Sequence, residues 1–174
     1  MKYLVKFFVV TSFLLICTYT SAENNIVIFD LKYALNNSKA GKGAQDFLKK
    51  SFNDKAKKFA DMEKALKKEE SDLLAKKTVI SKEEYTKKSD TLRKKVIDYQ
   101  SQRRAALDKI ATQRANSRET LMKKIDPILN NYIKENNVSL VIDKKYTLGG
   151  SPEKDITKTI IEKLNKELPS LNLK

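Results

Sequence analysis

Few residues in this chain could carry out chemistry, and they do not form a catalytic or metal-binding set. The 174 residues include no His and a single Cys, Cys17. Histidine-based triads, histidine general bases, internal disulfides and cysteine-cluster metal sites are therefore excluded. Gly149-Gly150 is not a phosphate-binding loop, because neither glycine is followed directly by the Lys-Ser or Lys-Thr pair of that motif. We predict that the protein is not an enzyme and has no catalytic residue, no cofactor and no bound metal.

Two groups of carboxylates remain as candidates for acid–base chemistry. Glu69, Glu70 and Asp72 lie together in a lysine-rich helical segment, where nothing indicates the desolvated pocket that tunes a carboxyl pKa. Asp30 and Asp143 each end an apolar run of strand type, and pairing of those runs would bring the two carboxylates together. We favour a structural role at strand ends for this second group.

Basic residues are the dominant chemical feature. The chain has 36 Lys or Arg against 22 Asp or Glu, a net charge of +14. Residues 49–124 hold 23 basic and 12 acidic residues, so +11 of the +12 that remains without Lys2 and Lys6 lies in this segment. This concentration favours attraction of an acidic partner over a merely solvated face. The candidate residues for binding a partner or an anionic surface are Lys87, Lys88, Arg93, Lys94, Lys95, Arg103, Arg104, Arg114 and Arg118.

The charge alone is compatible with several partners. Anionic lipid, lipopolysaccharide, acidic unfolded chains and nucleic acid would all be attracted by it. A basic amphipathic helix could also lie on a membrane, but we disfavour this because the apolar stripe is needed by a partner helix.

The N-terminus predicts export. Lys2 and Lys6 precede an apolar run from Phe7 to Ile16, and Thr20-Ser21-Ala22 ends the segment with small residues. This pattern is typical of a signal peptide, residues 1–22, with cleavage after Ala22. The run of about ten apolar residues is short for a membrane anchor, which needs roughly 20. A chain without cysteine after cleavage suits a bacterial periplasm.

The basic segment reads as two antiparallel helices, residues 44–76 and 82–136. Apolar residues recur every seven positions, which is typical of helices that pair as a coiled coil. The first helix presents Phe52, Phe59, Leu66 and Leu73, and the second presents Tyr85, Leu92, Tyr99 and Ala106. Ser81 and Glu84 match a capping box at the start of the second helix. Pro127 should kink that helix.

The remaining segments, 23–43 and 137–174, predict a small β-containing body. Ile26–Phe29 and Val138–Asp143 read as strands, and Lys144–Leu148 could add a third. Leu31–Asn36 suggests a brief helix, Gly41 and Gly43 a joint, and Ser151-Pro152 the start of a final helix. A body of about 60 residues has a thin core and should be completed by oligomerisation. The candidate oligomerisation residues are Ile26, Val27, Ile28, Phe29, Leu140, Val141 and Ile142.

The predicted fold class is therefore α+β and mostly α, with a long helical hairpin (residues 44–136) projecting from the body. These features resemble the Skp/OmpH family of periplasmic chaperones. The resemblance is most specific at Leu140-Val141-Ile142-Asp143, Gly149-Gly150 and Lys154-Asp155-Ile156-Thr157, and it extends to Ile26–Asp30 and Gly41-Lys42-Gly43.

The resemblance implies a periplasmic homotrimer whose three arms project from a shared β body. It implies an ATP-independent holdase that keeps unfolded outer-membrane proteins between its arms and prevents their aggregation. Lipopolysaccharide binding by basic arm residues is attributed to some members, and no motif fixes it to residues of this chain. Two alternatives remain open: a structural coiled-coil adaptor of the cell envelope, and a basic nucleic-acid-binding protein, which the signal peptide disfavours.

Overall fold

The computed structural model describes residues 25–173, so the predicted signal peptide and its cleavage site lie outside the described residues. Its elements follow in chain order. They are β1 (Ile26–Phe29), α1 (Leu31–Asn37), α2 (Lys39–Ala75), α3 (Lys82–Glu135), β2 (Leu140–Asp143) and α4 (Thr157–Glu167), with two short 3-10 turns, Lys144–Tyr146 and Pro152–Lys154. The chain is mostly helical with a small two-stranded sheet, which confirms the predicted fold class.

The sheet joins the two ends of the helical hairpin, as the sequence predicted. β1 and β2 pair in parallel, with Ile26 opposite Leu140 and Phe29 opposite Asp143. On its other edge β1 is bridged by a later segment, because the Ile156 amide donates to the Ile28 carbonyl at 2.9 Å. The outer edge of β2 has no strand partner among residues 25–173.

The prediction of a third strand over Lys144–Leu148 is wrong. The Asp143 carboxylate accepts the Lys145 amide at 3.0 Å, and the Lys144 carbonyl accepts the Thr147 amide at 3.1 Å. These local bonds close a 3-10 turn immediately after β2. Aspartate next to a backbone amide offers the chain this alternative to a strand ladder.

The joint between body and arm lies at Ser38 rather than at the glycines. The Ser38 hydroxyl accepts the Gly41 amide at 3.1 Å and caps α2, which begins at Lys39 instead of residue 44. Gly41 and Gly43 therefore lie inside the helix. A methyl group on Gly41 would overlap the Leu35 carbonyl oxygen, so glycine here permits close packing of α2 on α1.

The final helix also begins later than predicted. Pro152 opens a 3-10 turn, and α4 starts only at Thr157, whose amide is accepted by the Asp155 carboxylate at 3.0 Å. Its apolar face packs into the body, with Ile160 and Leu164 fully buried. One core of the body combines β1, α1, α4 and the last turns of α3, and its most buried members are Ala34, Ile125, Ile160 and Leu164.

Helices α2 and α3 pack side by side and form the arm, within one residue of the predicted ends at residues 76, 82 and 136. Ser81 caps α3 through the Glu84 amide at 3.1 Å, whereas the Glu84 carboxylate pairs with Lys88 instead of reaching back to Ser81. α3 continues through Pro127 without ending there. None of the helices within residues 25–173 combines the length and apolar character that a membrane crossing requires.

Candidate functional site

The arm is held together by a narrow apolar seam. Phe59 and Tyr99 are buried and meet edge to face, with ring centroids 6.0 Å apart and planes at 72°. The Tyr99 hydroxyl donates to Glu63 at 3.3 Å, and Lys95 Nζ reaches Glu69 at 2.6 Å across the two helices. Phe52, predicted to belong to this seam, is 49% exposed. The seam therefore leaves apolar side chains available at the surface of the arm.

A groove follows each side of the seam. On one side, a cavity of about 480 Å³ near the tip is lined by Leu66, Leu74, Tyr85 and Arg93 among others. On the same side near the body lies a cavity of about 670 Å³. Its lining includes Leu48, Phe52, Arg114 and Arg118.

The groove on the opposite side of the seam is lined by a different set of side chains. Its cavity near the tip, about 710 Å³, is lined by Lys68, Lys76, Lys87 and Lys88 among others. Its smaller cavity of about 350 Å³ lies closer to the body and includes Lys55 and Lys109. Both grooves are open to solvent and run between the same two helices, and among these four cavities arginines line only the two of the first groove.

Three of the nine predicted basic binding residues form ion pairs. Lys88 pairs with Glu84 at 2.8 Å, Arg93 with Asp90 at 3.5 Å, and Lys95 with Glu69 at 2.6 Å. The first pair follows helical i,i+4 spacing and could be found in the sequence. The Lys95 pair depends on how α2 and α3 align, which no local spacing gives.

The other six of the nine carry no ion pair within residues 25–173: Lys87, Lys94, Arg103, Arg104, Arg114 and Arg118. Elsewhere on the arm, several glutamates form ion pairs with lysines one helical turn away. A hydrogen bond and the charge of Lys67 lower the pKa of Glu63, and Lys88 and Lys123 do the same to the pKa of Glu84 and Glu119. Part of the arm's positive charge is thus neutralised locally, whereas these six cations form no ion pair in the described part of the chain, although the charge of Arg103 acts on Glu63.

The seven predicted oligomerisation residues do not form one surface. Val27 and Phe29 are buried inside the protomer's own core, each 4% exposed. Ile28, Val141 and Ile142 are half-buried. Ile26 and Leu140 face each other across the sheet and are 39% and 52% exposed. Only this last pair offers a substantial apolar surface to a partner.

The carboxylates considered for catalysis have structural partners. The Asp30 carboxylate accepts the Tyr33 amide at 2.7 Å and caps α1, and Asp143 caps the turn after β2. Glu69 is paired with Lys95 on the arm surface. Over residues 25–173, no cluster of acidic or other ligating side chains is suited to hold a metal ion.

One ion pair of the body was not visible in the sequence. Lys144 Nζ and the Asp155 carboxylate meet at 2.7 Å and join the turn after β2 to the segment before α4. Burial by itself raises the pKa of Asp155. The Lys144 ammonium and the Thr157 hydroxyl and amide outweigh this effect and hold that pKa below its ordinary value of 3.8.

A family profile described as "Outer membrane protein (OmpH-like)" matches residues 25–164, which include the whole arm and both strands. The chain belongs to the OmpH-like family. An OmpH-like relative, the Skp-like protein of Pseudomonas aeruginosa, is 23% identical over 165 residues, covering 95% of this chain and 98% of that protein.

The crystal structure of an OmpH-like outer membrane chaperone from Caulobacter crescentus superposes with a TM-score of 0.78. The match covers 90% of this chain and 92% of that one at 20% identity, and it establishes that the two share a fold. The OmpH-like family is a chaperone family and not a known family of enzymes. The site to be explained is therefore a binding surface, and the two grooves of the arm are candidates for it.

Proposed function

We propose that this OmpH-like protein is an ATP-independent periplasmic holdase. It binds unfolded outer-membrane proteins, its clients, between basic helical arms and prevents their aggregation on the way to the outer membrane. The observation that carries the proposal is the arm itself, a two-helix projection with basic side chains beside open, partly apolar grooves. A structural adaptor would need one fixed partner, whereas these open surfaces suit many.

Capture is driven by long-range charge. The basic side chains of the arm attract acidic segments of an unfolded chain, and such steering raises association rates more than it lowers dissociation rates. Screening shortens the interaction to roughly 8 Å at physiological ionic strength, so capture should slow as salt rises.

Retention is driven by many weak contacts. Exposed Phe52 lines the cavity near the body, and exposed Leu74 and half-buried Tyr85 line the tip cavity on the same side of the seam. Each contact is small, but contacts on one molecule act at a high effective concentration and give long residence together. No nucleotide-driven step is needed for such binding.

Assembly completes the binding chamber. The body is small, its β2 edge is open, and Ile26 and Leu140 expose apolar surface there. We propose that these residues meet the same surface on other protomers in a homotrimer, so that three arms surround the client.

The test measures suppression of aggregation by the processed protein, using two unrelated unfolded outer-membrane proteins. Stopped-flow association is then measured at low and high salt. Replacing Lys87, Lys94, Arg103 and Arg104 with Gln should reproduce the slow high-salt association at low salt.

The matched control carries the same charge change on the body, with Lys32, Lys154, Lys158 and Lys166 replaced by Gln. It should associate at close to the wild-type rate. A wild-type protein that leaves both clients to aggregate would refute the holdase function, and association indifferent to salt would refute electrostatic capture.

A further inference from the structure

All five arginines of the chain lie on α3, among 31 lysines spread along the whole sequence. Arg93 lines the cavity near the tip, and Arg114 and Arg118 line the cavity near the body on the same side. Arg93 and Arg114 are three seven-residue repeats apart, which keeps them on one side of a paired helix.

The other two arginines lie on or next to this side. Arg103 helps to lower the pKa of Glu63, a residue of the tip cavity, so its charge lies near that wall. Arg104 lies eleven residues after Arg93, about three helical turns, which returns it to the same side of α3. We call this face, with its two cavities, the arginine side.

The exposed apolar residues of the two arm helices lie on the arginine side as well. Phe52 and Leu74 line its cavities and are 49% and 57% exposed. Ile97 and Leu107, 57% and 44% exposed, occur between the arginines at the three- and four-residue steps that keep side chains on one helical face. The cavities of the opposite, lysine side contain no large apolar side chain of comparable exposure within α2 and α3.

The two cations have different contact chemistry. A guanidinium is planar and weakly hydrated, stacks on aromatic rings and binds carboxylates through two parallel hydrogen bonds. A lysine ammonium is compact and strongly hydrated. Binding surfaces are accordingly enriched in arginine and aromatic residues and depleted in lysine.

We propose that the arginine side is the surface that holds the client and that the lysine side faces solvent. This assignment rests on the proposed holdase function. Its partner is an unfolded polypeptide with aromatic and acidic side chains, which would stack on and pair with the guanidiniums between apolar contacts at Phe52, Leu74 and Leu107. Arg114 and Arg118 line the cavity near the body and, like Arg104, have no ion pair within residues 25–173.

The test replaces Arg93, Arg104, Arg114 and Arg118 with Lys, which leaves the net charge unchanged. Arginine and lysine have similar helix propensity, so the arm should remain folded by circular dichroism. Affinity for an unfolded outer-membrane protein should fall by about tenfold or more through faster dissociation, because stacking and bidentate contacts are lost. The association rate and its salt dependence should stay at wild-type values.

The matched control makes the reverse change on the lysine side, with Lys55, Lys68, Lys76 and Lys109 replaced by Arg. Its dissociation rate should equal that of the wild type. Unchanged dissociation of the arginine-to-lysine variant, or an equal change in both variants, would overturn the assignment while leaving the holdase function intact.

Two further outcomes are separable. If the arginine-to-lysine variant instead changes its sedimentation coefficient or its binding to anionic lipid vesicles, with client binding unaffected, the arginine side serves subunit or lipid contact and the assignment is wrong. If the wild type binds no unfolded client, the holdase function fails and the assignment fails with it.

Discussion

At Gly41, a single added methyl group would disturb the packing of the arm helix α2 on α1 of the body. An added Cβ would overlap the Leu35 carbonyl oxygen, and backbone cannot move aside as a side chain can. Gly41→Ala should lower the free energy of unfolding by about 1–3 kcal/mol, the range for overpacking. Urea unfolding at fixed protein concentration measures this effect.

Gly43 provides the matched control two residues later. Nothing lies within 4 Å of a Cβ built there, and the residue is inside α2. Gly43→Ala should raise stability by up to about 1 kcal/mol, since alanine is the better helix former. Equal effects of the two substitutions would contradict the close packing of α2 on α1.

Asp155 makes the body sensitive to acid. Its pKa is held below 3.8 in the folded chain, so its contribution to stability is present above the unfolded value and is lost as the pH falls through the folded one. Asp155→Asn should lower stability at pH 7 by about 1 kcal/mol or less, because the Lys144 partner is half exposed. The difference in Tm from the wild type should shrink as the pH falls below about 4.

A surface ion pair serves as the comparison. Glu119 and Lys123 are largely exposed, so Glu119→Gln should leave Tm at pH 7 unchanged. A Tm difference between the Asp155→Asn variant and the wild type that persists at pH 3 would show that the carboxylate charge is not the stabilising factor.

At the scale of the element, the seam residue Tyr99 should keep α2 and α3 packed together in the distal part of the arm. Its ring packs edge to face on Phe59 and both are buried. Tyr99→Ala should destabilise the arm by about 3 kcal/mol, a typical loss for truncation of a buried aromatic side chain. Hydrogen exchange should accelerate in residues 56–66 and 92–103, with little change in the body.

Phe52→Ala tests whether the loss of arm stability expected for Tyr99→Ala depends on burial of the truncated side chain. Phe52 has the same seven-residue spacing but is half exposed, so its truncation should leave exchange along the arm nearly unchanged. Comparable acceleration by both variants would mean that the seam is not the stabilising element.

The same two residues show what a repeat in the sequence can predict. Seven-residue spacing gave both arm helices and their ends to within about a turn, except for the start of α2. It could not tell buried Phe59 from exposed Phe52, because burial depends on how the two helices align. The glycines of α2 and the turn after β2 were misjudged because local caps, Ser38 and Asp143, determined the backbone there.

The sequence predicted the net positive charge of the arm, but not how the charged side chains of the arm are arranged. Counting residues located the positive excess on the arm. The Lys95–Glu69 pair, the six cations without an ion pair in the described chain and the difference between the two sides all depend on contacts between α2 and α3. The Lys144–Asp155 pair likewise needs the turn after β2, which the sequence suggested as a strand.

For the whole molecule, Leu140 tests assembly. It is 52% exposed in the protomer, on the strand whose outer edge is open, so Leu140→Asp should spare the protomer fold. In an oligomer it would place an unpaired charge in the interface, and that burial is strongly unfavourable. We expect a trimeric wild type and a monomeric variant by analytical ultracentrifugation, with matching circular dichroism.

Val79→Asp is the control, because Val79 is 80% exposed at the tip of the arm, far from the sheet. It should sediment like the wild type. A monomeric wild type at micromolar concentration would contradict assembly through the surface formed by Ile26 and Leu140.

The parallel pairing of β1 with β2 also determines the order in which the arm and the sheet can form during folding. The two strands that close the body are separated by more than a hundred residues, nearly all of them in the arm. Closing so long a loop in an unstructured chain is entropically unfavourable, whereas a helical hairpin brings its own ends together through neighbouring contacts. The arm should therefore form first during refolding, and β1, although it comes earliest in the described chain, must stay unpaired until the segment that contains β2 has been brought to it.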